Sequence, residues 1–225
     1  AQNGALWLHG YFQWDWRDTY VQVGSIINSS RNAWEVIRAQ DTPPGPDSQF
    51  TKGSRFYALG ALELLDSPGE YHINSSTGEL WLLPLRPLLS NTELVISALD
   101  TVVDVEEVSY HTFENLQISD GRKSLLVLQG THTLGNNQVY NCTIINTGGV
   151  CLSAAGNNNS MRNNTIAGCG MGGIEIFAGM PTSALVAGNT SLIGNQISNV
   201  SRIARTCTSI STLDLVSCAS LHSGR

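Results

Sequence analysis

Glu175 is the one charged residue in Gly173-Ile174-Glu175-Ile176-Phe177-Ala178. In an extended strand Ile174 and Ile176 share one face and Glu175 takes the other, so burying the isoleucines turns the carboxylate outward. An outward carboxylate can act as acid or nucleophile in glycoside hydrolysis, which uses two carboxyl groups about 5 to 10 Å apart. Strands in a sheet lie about 4.8 Å apart, so a partner one or two strands away has a suitable separation. The strand spacing puts Cys151 and Val127 at the two preceding equivalents of Glu175, and neither is acidic. Asp120, after the strand at Ile118, is the nearest other acid and is expected at a corner. Against catalysis stands the plainer reading that Glu175 is an ordinary solvated carboxylate.

A second chemistry is possible at the start of the chain. Residues 1 to 36 are dense in aromatics, with Trp7, Tyr11, Phe12, Trp14, Trp16 and Tyr20 interleaved with Asp15, Arg17 and Asp18. A pyranose offers an apolar C–H face to an indole ring, which makes Trp14 and Trp16 candidate substrate-binding residues. The spacing of two through Phe12, Trp14 and Trp16 also fits one buried strand face, the commoner use of such a pattern. The five histidines (His9, His72, His111, His132 and His222) are scattered without triad spacing, and His132 is expected in a turn. The five cysteines show no Cys-x-x-Cys and no metal spacing with histidine, and their odd number rules out complete internal pairing. Cys142, Cys151 and Cys169 fall within repeats where small buried side chains fit, so a core role is expected. No metal site and no cofactor follow from these residues.

The elements that must position such groups are visible as a repeat. Asn-Leu-Gln-Ile, Asn-Cys-Thr-Ile, Asn-Asn-Thr-Ile and Gly-Asn-Gln-Ile end at Ile118, Ile144, Ile166 and Ile197, with separations of 26, 22 and 31 positions. A unit that short cannot bury its own apolar face, so the units must stack. Five residues before three of these isoleucines stand Val139, Met161 and Leu192. A further strand per turn contains Leu128, Leu152 and Ile176, which match at a spacing of 24. Short alternating strands punctuated by Gly and Asn, residues that tolerate left-handed corners, predict a right-handed parallel β-helix. The longer separation before Ile197 predicts a bulge at residues 179 to 188.

The residues ahead of the solenoid differ. Pro43, Pro44, Gly45 and Pro46 mark a surface loop. Residues 56 to 65 carry Leu59, Leu62 and Leu65 at helical spacing before the breakers Asp66-Ser67-Pro68-Gly69, so a short helix is expected. Residues 71 to 74 and 79 to 83 read as a hairpin closed by Pro84. The chain of 225 residues is 41% hydrophobic and only 13% charged, enough for a sizeable core. Its net charge of −6 argues against a nucleic-acid partner, and no apolar run is long enough for a membrane span. Nothing reads as a signal peptide, and a chain opening at Ala1 is expected to be a fragment or a processed form. Seven Asn-x-Ser/Thr sequons (Asn28, Asn74, Asn141, Asn158, Asn163, Asn189 and Asn199) fit either a secreted glycoprotein or simply Asn-rich turns.

Leu65-Asp66-Ser67-Pro68-Gly69-Glu70-Tyr71, Thr77-Gly78-Glu79-Leu80-Trp81 and Pro84 resemble a module of the pectin-lyase-like superfamily of parallel β-helix proteins. The run from His9 to Asp18 and the run from Ile166 to Ile174 are similar to the same group. The resemblance spans roughly residues 1 to 206 and implies a carbohydrate-active protein, extracellular or secreted, acting on a polysaccharide or oligosaccharide. Of the activities the fold hosts, a glycoside hydrolase is favoured, with Glu175 and Asp120 as candidate catalytic residues. The alternatives are a non-catalytic glycan-binding or adhesive solenoid and a polysaccharide lyase. Arg202 and Arg205 are candidate substrate-binding residues, and for a lyase, where the resemblance implies a Lys or Arg base and a calcium ion, they are also candidates for the base beside Arg122 and Lys123. Calcium needs several clustered oxygens. The acidic run Asp100, Asp104, Glu106 and Glu107 reads more simply as a solvated edge that deters strand addition. Met180 and Pro181 stand where relatives carry an acid and an arginine. The expected organisation is an N-terminal aromatic and helix/hairpin module over 1–90, coils over 91–206 and an atypical Ser/Thr-rich tail over 207–225.

Overall fold

A computed structural model describes residues 6–29, 33–39, 50, 52–107, 109–131, 133–179 and 187–204. The fold is all-β, and the chain divides into two compact units, Ala1–Glu93 and Leu94–Arg225. In the first unit, β1 (Trp7–Tyr11), β2 (Thr19–Ser29), β3 (Ala33–Arg38) and β4 (Arg55–Leu59) form an antiparallel sheet in the order β3-β2-β1-β4. Leu8, Phe12 and Val21 are buried beneath it, with Val23, Val36 and Ala58 packed against them. The hairpin follows as expected, with β5 (Tyr71–Ile73) paired to β6 (Leu80–Leu82).

The expected helix over residues 56 to 65 does not form. Arg55–Leu59 pairs residue for residue with Trp7–Tyr11, and only Leu62–Leu64 makes a single 3-10 turn. Ladder hydrogen bonds with β1 outweigh a weak local pattern, and Gly60, at φ 86°, ends the strand. The Pro43–Pro46 loop lies outside the described residues.

The second unit is the parallel β-helix. Its strands run β7 (Thr101–Val105), β8 (Thr112–Glu114), β9 (Gln117–Gly121), β10 (Ser124–Leu128), β11 (Gln138–Tyr140), β12 (Thr143–Thr147), β13 (Val150–Ala155), β14 (Ser160–Arg162), β15 (Thr165–Cys169), β16 (Ile174–Phe177), β17 (Ser191–Ile193) and β18 (Gln196–Ser198). Every third strand joins the same sheet, giving β7-β10-β13-β16, β8-β11-β14-β17 and β9-β12-β15-β18, all parallel. Ile118, Ile144, Ile166 and Ile197 form one continuous column, as the repeat predicts. Phe113, Val139, Met161 and Leu192 form a second. The third sheet is registered two residues away from the expected match. Leu126 pairs with Leu152 and Leu152 with Ile174, while Leu128 opposes Ala154 and Ala154 opposes Ile176. Of the expected bulge, residues 180–186 lie outside the description.

Polar residues complete the coils at the corners. Asn115, Asn141, Asn163 and Gly194 follow one another rung by rung at φ 57°, 52°, 54° and 67°, the left-handed region these types tolerate best. A Cβ on Gly194 would stand 2.3 Å from the Asn163 side-chain oxygen, so any larger residue there would have to displace that side chain. Other asparagines are buried, Asn164 next to this column and Asn137 and Asn159 at another corner, each 1% exposed. The Asn164 oxygen accepts from the Cys142 backbone N–H at 2.9 Å, and its amide donates to the Val139 carbonyl and the Asn195 oxygen, both at 2.9 Å. The oxygens of Asn137 and Asn159 accept from the backbone N–H of His111 and Asn137. These ladders satisfy backbone groups that the turns would otherwise strand inside.

Cys151 and Cys169 are buried, as expected for core positions, but they are also bonded to each other, which among the described residues leaves Cys142 as a buried free thiol. The repeats predict a packing role alone for these cysteines. Closing a loop with a sequence separation of 18 contributes roughly 3 kcal/mol by chain entropy.

Candidate functional site

On the β7-β10-β13-β16 sheet the isoleucines of β16 face in, and Glu175 stands on the outer face, half-buried. Register corrects its neighbours: Glu175 lies beside Ser153, then Val127, then Asp104, and Cys151 is not in this column. Asp104 is three rungs from Glu175, roughly 14 Å at the usual spacing, beyond the reach of a two-carboxylate hydrolytic pair. Asp104 also accepts from the Gln129 side-chain amide at 2.7 Å.

Asp120 is not a partner either. It lies on β9 in the first coil, whereas Glu175 is on β16 in the fourth and in a different sheet. At φ 65° Asp120 stacks on Asn146 (φ 66°) and Gly168 (φ 71°), and its carboxylate accepts from the Ser119 hydroxyl at 2.6 Å. That is a corner role, as the sequence predicts.

Arg202 borders a shallow open groove of about 300 Å³ with Ser97, Gly121, Asn146, Gly148 and Gly170. Its guanidinium reaches the Gly168 carbonyl at 3.5 Å. The glycines let backbone form the floor, and one cation at the rim suits a carboxylate or other anionic group. Arg205 lies outside the described residues. Asp100 is held below the usual carboxylate range by a hydrogen bond from Lys123, against some desolvation and with Coulombic help from Lys123 and Arg122. Among the described residues no three His, Cys, Asp or Glu side chains converge as a metal would require. No helix among them is long and apolar enough to cross a membrane.

A second polar strip runs along the outer face of β8-β11-β14-β17. Glu114, Tyr140 and Arg162 align in successive coils, beside Gln138, Ser160 and Ser191. The Tyr140 hydroxyl donates to the Glu114 carboxylate, which raises the phenol above the ordinary tyrosine value, with desolvation acting the same way. The sequence reading missed this strip, because alternation shows which side chains face out but not which neighbours they meet. A raised tyrosine contributes its stability below the ordinary value and loses it as pH rises through the elevated one. Glu114→Gln is therefore expected to bring the Tyr140 titration down toward the ordinary range, read by ultraviolet difference spectroscopy. An unchanged titration would exclude the Glu114 contact.

In the first unit the aromatic segment corrects the packing expectation. Phe12 is buried, but the chain then leaves the sheet in a turn in which the Arg17 N–H donates to the Trp14 carbonyl at 3.3 Å. Trp14 and Trp16 are 43% and 57% exposed, side by side with ring centroids 6.1 Å apart and planes 29° apart. Asp15, between them, accepts from Arg55 at 3.0 Å, and Arg55 lies over the Tyr11 ring at 5.3 Å. The histidines are not all isolated: His9 meets Asp18 at 2.7 Å and Tyr57 at 2.6 Å. Asp18 lies only nine positions on, but Tyr57 comes from a distant strand that no local motif announces.

No curated protein and no solved structure matches the chain. The family model described as the right handed beta helix region matches residues 95–218, more than half of the chain and the same stretch that holds the three stacked sheets. Coil period, register and family match agree, and the chain belongs to the right-handed β-helix family.

Proposed function

We propose that this is a carbohydrate-active protein whose N-terminal unit binds a polysaccharide or oligosaccharide by stacking sugar rings on Trp14 and Trp16. The exposed indole pair carries this reading. Large aromatics left in water side by side, while Phe12 next to them is buried, fit a surface awaiting a flat apolar partner. The sugar's C–H face supplies that partner, and its rim hydroxyls find Asp15 and Arg55 alongside. The expected result is that Trp14→Ala with Trp16→Ala weakens binding to a polysaccharide panel about 100-fold, at about 1.4 kcal/mol per tryptophan. Calorimetric titration with unchanged affinity would sink it.

Hydrolysis is the second reading, favoured by the outward placement of Glu175 on a sheet face. It needs a second carboxylate from outside the Asp104–Glu175 column, since the register leaves none of suitable separation within it. Glu175→Gln separates the two readings: lost turnover with retained binding supports catalysis, and the absence of any turnover in the natural chain supports binding alone. Secretion fits both. The Cys151–Cys169 bond suits an oxidising compartment, and exposed sequon asparagines such as Asn141, Asn158 and Asn163 sit where a glycan has room.

A further inference from the structure

Tyr20, His9 and Tyr57 lie side by side across β2, β1 and β4. The row occupies the face of the sheet opposite Leu8, Val21 and Ala58. The His9 ring lies flat on Tyr20, with centroids 3.9 Å apart and planes 5° apart, and meets Tyr57 edge-on at 5.1 Å. His9 and Asp18 are each 3% exposed, whereas Tyr57 is 49% exposed. Both imidazole nitrogens are engaged, Nε2 with Asp18 Oδ2 and Nδ1 with the Tyr57 hydroxyl.

The Asp18 contact fixes one hydrogen-bond direction, and a neutral ring fixes the other. A carboxylate only accepts, so Nε2 carries the proton that goes to Asp18. In the neutral ring Nδ1 then holds a lone pair and accepts, and the Tyr57 hydroxyl must spend its hydrogen inward. With the ring neutral, the phenol presents oxygen lone pairs outward and has no hydrogen to offer. We propose that Tyr57 is a specificity-determining hydrogen-bond acceptor for a sugar hydroxyl in the glycan site of the N-terminal unit.

The proposal rests on the stacking role of Trp14 and Trp16. It joins that role through Arg55, two residues before Tyr57 on the same face of β4, which covers Tyr11 and holds Asp15 between the two tryptophans. A ring stacked on the indoles can thus turn a hydroxyl toward Tyr57. A hydroxyl satisfies the fixed acceptor, whereas a deoxy or O-methyl group leaves it unpaired, the situation that gives the sharpest discrimination in polar sites. If Tyr57 served only to satisfy His9, half of its surface would have no task and its loss would leave binding intact.

Calorimetric titration with short cello-, xylo-, manno- and galacto-oligosaccharides, followed by the monodeoxy derivatives of the tightest binder, tests this. Tyr57→Phe, which keeps the ring, is expected to weaken binding about tenfold, and one monodeoxy sugar is expected to bind both forms equally. Normal binding by Tyr57→Phe, with binding lost in the Trp14→Ala and Trp16→Ala double variant, overturns the proposal and leaves the platform standing. Binding indifferent to all three substitutions, or absent for every oligosaccharide, overturns the platform and Tyr57 with it. Nitrogen-15 NMR of His9 in the unaltered chain gives an independent check at neutral pH. The Nε2–H tautomer is expected, and an Nδ1–H tautomer or an imidazolium overturns the acceptor assignment.

Discussion

Asn164→Ala is expected to destabilise the solenoid unit by about 3 to 5 kcal/mol. The substitution removes the acceptor of the Cys142 backbone N–H and the donor of the Val139 carbonyl. It also breaks the side-chain link to Asn195, whose own amide continues the ladder to the Met161 carbonyl. The position is 1% exposed, so water does not replace these partners. Each lost bond counts about 1 kcal/mol, and each polar group left buried without a partner adds roughly 1 to 3 kcal/mol. The adjacent Asn163, exposed at φ 54°, is the contrast. There Asn163→Gly keeps the left-handed corner and is expected to change stability by only a few tenths of a kcal/mol. Urea unfolding of the two variants checks both. A loss below about 1 kcal/mol for Asn164→Ala would mean that the ladder does not hold the turn.

Ile166→Ala is expected to cost about 2 to 5 kcal/mol, the range for emptying a fully buried aliphatic site. Ile166 is 0% exposed and lies between Ile144 and Ile197 in the column, with neighbours above and below. In a solenoid each coil is stabilised mainly by its nearest neighbours, so the cost depends on position. Ile197, only half-buried in the fourth coil, is expected to cost less than Ile166 when truncated in the same way. Denaturant midpoints at constant slope give the comparison. Equal losses at the two positions would contradict a column stacked rung on rung.

Much of the solenoid was legible in the sequence because its rule is short-range. Inward residues alternate along a strand, and coils repeat at a near-constant period. Ile118, Ile144 and Ile166 therefore announced their own column. The even spacing predicts the wrong register for the third sheet, although the sequence holds the correction. Leu126, Leu152 and Ile174 each follow a column isoleucine by eight positions, because the turn between those two sheets keeps its length while the next one varies. An even spacing of 24 among Leu128, Leu152 and Ile176 is a coincidence of two unequal coils. The register matters chemically, since it sets Ser153 rather than Cys151 beside Glu175.

The sequence by itself determined that this chain winds into a β-helix, which isoleucines line it and where Glu175 faces. Alternation and period follow from backbone geometry within one or two coils. Only the tertiary structure decided that Asn164 is buried while Asn163 is exposed, and that Trp14 and Trp16 stand in water. It alone joined Cys151 to Cys169 and brought Tyr57 to His9. A residue's type limits what it can bond to, but its partner depends on which distant strand lies across from it, and that is settled only when the sheets assemble.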